Sequence, residues 1–169
     1  RCPSETAPLM PETTLIIGVG NPLARDEGVG IRAVERLAER DLPPGVRVLD
    51  AGTDLLAVLP QMSRADRVIL LDAVRAGGEA GAIHRLTLDD LLARATNEPE
   101  WRSAHDLSLV TAVRLAEATG QALPPTVLLG VEPGEVALGE GLTPPVEAAL
   151  DGLLDRALAE VNAPPSDRV

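Results

Sequence analysis

The stretch Thr14 to Gly30, TLIIGVGNPLARDEGVG, constrains this chain more than any other. An apolar run rich in Ile and Leu meets a Gly-Val-Gly turn, and the next helical periodicity opens on two carboxylates, Asp26 and Glu27. A buried strand, a tight turn and a helix form the opening unit of a layered α/β fold. A phosphate-binding turn of this kind needs bare backbone N–H groups and no nearby negative charge. Here Glu27 stands where a phosphate would sit, and Pro22 removes a donor. The third position of G-x-G-x-x-G is Leu23. Asp50 ends the second predicted strand, where a ribose-binding acid would lie. Two glycines and one acid are weak evidence for a nucleotide, and the junction favours a cation.

The rest of the chain continues the same rhythm and then breaks it. The first helix has an expected inward stripe of Val29, Val34, Leu37 and Ala38, with Asp26 as its cap. Val46 to Asp50 reads as a second strand, and a helix follows through Leu55, Val58, Leu59 and Met62. Arg67 to Asp72 is a third strand, apolar on both faces and stopped by a carboxylate. After Ala76-Gly77-Gly78 the segment Ala82 to Leu88 alternates, and no helix precedes it, which predicts an antiparallel edge strand. A short helix over Leu88 to Ala95 and a polar loop over Thr96 to Arg102 come next. Ser103-Ala104-His105-Asp106 matches a capping box ahead of a helix that ends at Gly120. Thr126 to Val131 is a fifth strand, Glu132 to Gly141 a Gly-rich loop, and Thr143-Pro144 starts a last helix running to about Val161. These elements predict a single α/β domain over residues 12–162, a three-layer α/β/α sandwich with a five-stranded, mostly parallel sheet. Residues 1–11 read as a disordered N-terminal tail and residues 163–169 as a C-terminal tail.

Charge and cysteine content exclude several classes. The net charge is −11 and every basic side chain is Arg. Such a chain repels nucleic acid and anionic membrane surfaces, so no nucleic-acid or membrane partner is expected. The one cysteine, Cys2, cannot form an intramolecular disulfide, and no apolar run reaches transmembrane length. A cytoplasmic protein is the expectation. Nucleophilic catalysis finds no support: Cys2 lies in the tail, no G-x-S-x-G elbow exists, and Ser103 and Ser108 suit helix-start or surface hydroxyls. Trp101, the lone aromatic, reads as an anchor for a small satellite core or as a contact for a partner, with the anchor favoured slightly.

Three residues remain that suit metal chemistry. Ligands of open α/β sheets bind outside the carboxyl ends of the strands, where strand order reverses. Glu27 lies just beyond strand one and Asp72 ends strand three. If those strands are neighbours, the two carboxylates converge, and a cation relieves their repulsion. Taken singly, Glu27 is also a helix-start acid favoured by the dipole, and Asp72 a cap for the next turn. His105 precedes a helix, where the dipole favours the neutral imidazole that binds metals. One Glu, one Asp and one His form a transition-metal set with open positions. The other histidine, His84, reads as a surface or satisfied strand residue.

The blocks GVGNPLARDEGVG, DAGT (Asp50–Thr53), LLDAV (Leu70–Val74), SAHDLSL (Ser103–Leu109), LLGVEP and GLTPPVE together resemble the hydrogenase maturation proteases, in order from about Thr14 to Leu158. The resemblance implies a phosphorylase/hydrolase-like sheet of order 2-1-3-5-4 with strand four antiparallel. It implies an endopeptidase, aspartic-type or metal-assisted, that removes the C-terminal extension of a nickel-iron hydrogenase large-subunit precursor after nickel insertion. The family's metal-binding residues fall on Glu27, Asp72 and His105, which would also be the catalytic set. The implied metal is nickel, that of the substrate's own centre, although other divalent metals suit the same ligands. Asp50, Gly52 and Thr53 would line the crevice and hold the peptide, and the protease would act as a monomer. The alternative on the same fold is a non-proteolytic assembly chaperone that binds the nickel centre and leaves the precursor uncut. Ala51 stands where the family often has a second Gly, and Ala80 where it often has Pro.

Overall fold

The computed structural model describes residues 12–97, 111–116, 118–120 and 123–163. The strands are β1 (Thr14–Gly18), β2 (Val46–Asp50), β3 (Arg67–Ala73), β4 (Ile83–Thr87) and β5 (Thr126–Val131). The helices are α1 (Val29–Ala38), α2 (Leu59–Met62), α3 (Leu88–Asn97), α4 (residues 111–116) and α5 (Pro144–Asn162). Short 3₁₀ turns, Arg25–Gly28 and Leu55–Val58, lead into α1 and α2. The five strands form one sheet in the order β2-β1-β3-β5-β4. All neighbours run parallel except β4, which pairs antiparallel with β5 at the edge. The expected architecture is therefore the observed one, and β1 and β3 are neighbours.

Strands β1, β3 and β5 are buried along their whole length because helices cover both faces of the sheet. One face carries α1 and α5: Val29, Val34 and Leu37 meet Val146, Leu150 and Leu153 over Ile16, Ile69, Leu71 and Leu129. The other carries α2, α3 and α4: Leu55, Met62, Leu91 and Val113 cover Leu15, Ile17, Val68, Leu70 and Leu128. Each aliphatic side chain fully buried in this way contributes about 1.5–3 kcal/mol, and with no Phe or Tyr available these contacts supply the core. The expected stripe on α1 needs one correction. Ala38 is exposed, while Ile31 and Ala33 are buried. The helix is wedged between the sheet and α5, so its buried arc is wider than a single-face pattern predicts.

Close approach of backbones fixes the start of α1 against the sheet. A Cβ on Gly30 would lie 2.1 Å from the carbonyl oxygen of Leu71 and 2.3 Å from that of Val19. A Cβ on Gly20, whose φ is +140°, would lie 1.9 Å from the carbonyl oxygen of Glu27. Only glycine permits this approach, and it delivers Glu27 to the carboxyl end of β1.

Candidate active site

The chain reverses strand order between β1 and β3. From β1 it crosses to β2 on one side, and from β3 it proceeds to β4 and β5 on the other. The crevice outside the carboxyl ends of these two strands is the place where such sheets bind ligands.

The turn after β1 has its backbone donors engaged. The Val19 N–H donates to Leu71 O at 2.8 Å and the Gly20 N–H to Gly52 O at 2.8 Å. The Leu23 N–H donates to the Asn21 side-chain oxygen at 3.0 Å, and that of Ala24 to Asn21 O at 3.0 Å. The Arg25, Asp26 and Glu27 N–H groups donate to Gly139 O, Glu135 O and Ala24 O. A phosphate cradle needs these donors free, so the turn is not one.

Two expected ligands sit at this crevice. Glu27 lies half-buried in the 3₁₀ turn that opens α1. Asp72 is the penultimate residue of β3, buried, and one Oδ accepts the Ala73 N–H at 2.7 Å. Gly18 pairs with Leu71, so Asp72 stands one residue beyond the level at which β1 ends. Side chains alternate along a strand, which puts Asp72 on the face of Val68 and Leu70, where Val113 of α4 also packs. His105, Ser103, Ser108 and Trp101 lie outside the described residues. Among the described residues, no three His, Cys, Asp or Glu side chains gather as a metal-binding group.

The expected peptide-contacting residues occupy the β2 side of the same crevice. Asp50 ends β2 opposite Gly18, and its carboxylate accepts the Gly52 N–H at 2.7 Å. Gly52 has φ +55° and its carbonyl takes the Gly20 N–H, which ties this loop to the β1 turn. Thr53 is exposed.

Two buried acids shape the site in ways that local pattern did not show. Asp26 does not cap α1. Its side chain is fully buried, with 0% exposure, and accepts four hydrogen bonds from the loop between β5 and α5. The Thr143 N–H donates to Oδ1 at 2.6 Å. The N–H groups of Gly134 and Glu135 and the Thr143 hydroxyl donate to Oδ2 at 2.8, 2.9 and 2.7 Å. Burial pushes this carboxyl up, but the donors from Thr143, Glu135 and Gly134 outweigh it and hold the group below its ordinary 3.8. Thr143 does stand at the N-cap of α5 ahead of Pro144, but its hydroxyl serves Asp26 rather than the helix.

Glu132 is the second. It is buried at the end of β5, and its Oε2 accepts the Ala76 and Gly78 N–H groups at 2.8 and 3.1 Å. His84 Nε2 lies 3.2 Å from the same oxygen, so His84 is the satisfied strand residue expected. Both acids pin loops at the carboxyl end of the sheet, around the crevice.

Comparison with known proteins matches the same scaffold. Residues 31–160 match the family model described as hydrogenase maturation protease. The chain is 36% identical over 147 residues to the hydrogenase 2 maturation protease of Escherichia coli strain K12, covering 86% of this chain and 88% of that protein. It is 35% identical over 155 residues to the hydrogenase expression/formation protein HupD of Rhodobacter capsulatus, covering 90% and 73%. Among solved structures it is similar to the hydrogenase maturating endopeptidase HybD from E. coli, with TM-score 0.79, 34% identity and coverage of 89% and 92%. With its sheet order, its acidic crevice and these matches together, the chain belongs to the hydrogenase maturation protease family.

Proposed function

We propose that this protein cuts one peptide bond near the C-terminus of a nickel-iron hydrogenase large-subunit precursor, and that Glu27, Asp72 and His105 recognise the nickel already inserted in that substrate. The observation that carries the reading is the placement of Glu27 and Asp72 at the carboxyl ends of neighbouring parallel strands, where the strand order reverses. Asp72 lies on the face covered by α4, and the sequence reads His105 as preceding that helix. A carboxylate pair and an imidazole are a donor set suited to a divalent transition metal. The substrate's metal would supply polarisation of the scissile carbonyl or of a nearby water. One of the two carboxylates then serves as the general base. Asp50, Gly52 and Thr53, on the β2 side of the crevice, hold the extended peptide. Among the described residues no helix is long and apolar enough to cross a membrane, and the reading is of a monomeric, cytoplasmic endopeptidase.

The test is the intact mass of the purified nickel-loaded precursor after incubation with the protein. Wild type removes a short C-terminal peptide, and Glu27→Gln leaves the precursor whole while melting at the wild-type temperature. A precursor that is bound but never shortened by wild type would replace the protease by a chaperone.

A further inference from the structure

The two loops that frame Glu27 carry an apolar pair held in water. Leu23 is 54% exposed and Leu138 93% exposed, and Val136 in the same loop is 41% exposed. These loops are fastened together by backbone. Ala24 and Gly139 form a parallel bridge, in which the Gly139 N–H donates to Leu23 O at 2.8 Å and the Arg25 N–H to Gly139 O at 2.9 Å. That register sets Leu23 and Leu138 side by side. Beneath them the four bonds to Asp26 anchor the same two loops. These bonds tie the two loops together with the leucines exposed, and Arg25 holds φ +51° within the connection.

The surroundings select the occupant. Arg25 pairs with Glu135 at 3.4 Å, which neutralises the charges beside the pair. Three side chains expose far less than the ~800 Å² per partner that a stable dimer buries. Two copies, each of net charge −11, also repel. A second copy is thus a poor occupant, whereas one extended segment with an apolar side chain is a good one. Leu23 is four residues from Glu27 on the same turn, so a segment seated here lies beside the crevice.

We propose that Leu23 and Leu138 are a docking site for an apolar side chain of the precursor's extended C-terminal segment, and that they set which segment reaches Glu27. This rests on the protease reading above.

The experiment measures binding and cutting of purified nickel-loaded precursor by wild type, by the double variant Leu23→Ser/Leu138→Ser and by Leu23→Met/Leu138→Met. Losing two exposed leucine contacts should weaken binding by about tenfold or more, with the melting temperature kept and the Met variant close to wild type. Serine substitutions that leave affinity and the rate at limiting precursor unchanged overturn the docking site and leave the protease reading standing. A wild type that dimerises through these leucines, by sedimentation, assigns them to a second copy and overturns it also. A wild type that neither binds nor cuts the precursor removes the protease reading and this proposal together.

Discussion

Replacing Asp26 by Asn is the most informative perturbation of the scaffold, because the change in atoms is small and the change in bonding is large. The carboxylate faces four donors and no acceptor: Thr143 N–H on Oδ1, and Gly134 N–H, Glu135 N–H and the Thr143 hydroxyl on Oδ2. An Asn oxygen at the Oδ2 position keeps three of them, but its NH₂ then meets the Thr143 N–H. The Thr143 N–H and the Asn NH₂ are both left unpaired at about 1–3 kcal/mol each, and three bonds that lose their charge assistance cost roughly 0.5–1 kcal/mol each. The sum is about 3.5–9 kcal/mol, a large part of the ~5–15 kcal/mol of a typical domain. At about 2–4 °C per kcal/mol for a chain of this size, the melting temperature should fall by about 7 °C or more. Circular dichroism melts across pH add a second signature. The folded-state carboxyl lies below its ordinary 3.8, so its stabilisation is complete above that value and is lost as pH falls through the lower folded pKa. The gap between wild type and Asn should be constant above about pH 5 and should narrow in acid below the ordinary carboxylate range. A variant that melts within 2 °C of wild type (about 1 kcal/mol or less on the same scale), or a gap that does not narrow in acid, would refute the account of Asp26.

Other outcomes follow from the same geometry. Gly20→Ala places a Cβ 1.9 Å from the Glu27 carbonyl at a φ that L residues avoid, so the turn must open; the variant should lose processing and melt lower, measured on one preparation. Glu132→Ala leaves the Ala76 and Gly78 N–H groups and His84 without their shared acceptor and should cost about 2–4 kcal/mol in urea denaturation, whereas Glu132→Gln should cost less than half of that. The ion pair of Arg36 with Glu147 is solvent-exposed, so Arg36→Gln should change stability by less than about 1 kcal/mol in the same measurement.

The sheet was legible because strands buried on both faces announce themselves as unbroken apolar runs, as in RVILLD and TVLLGV. Strand four was legible for a different reason: no helix separates it from β3, so the crossover a parallel neighbour requires is missing. The loops were not. Asp26 looks like a helix cap in its own neighbourhood, and its true partners lie 108 to 117 residues away. No local period encodes that contact. Glu132 gave no signal either, although a carboxylate directly after an apolar strand, with one of only two histidines on a neighbouring strand, was a usable hint. The place of Asp72 at the crevice was legible because it lies at the carboxyl end of β3, whereas Glu27, nine residues beyond β1, is brought there by the close backbone contacts of Gly20 and Gly30. The third expected ligand, His105, is at present a reading of sequence.

The central claim is that the acidic crevice acts on a precursor that already carries its nickel. The direct measurement is intact-mass analysis of nickel-loaded and nickel-free large-subunit precursor, each incubated with wild-type protein and with the Glu27→Gln, Asp72→Asn and His105→Ala variants. The account predicts a C-terminal mass loss for the loaded precursor with wild type alone, and none for the nickel-free precursor. Equal cutting of both precursors, or normal cutting by all three variants, would contradict it.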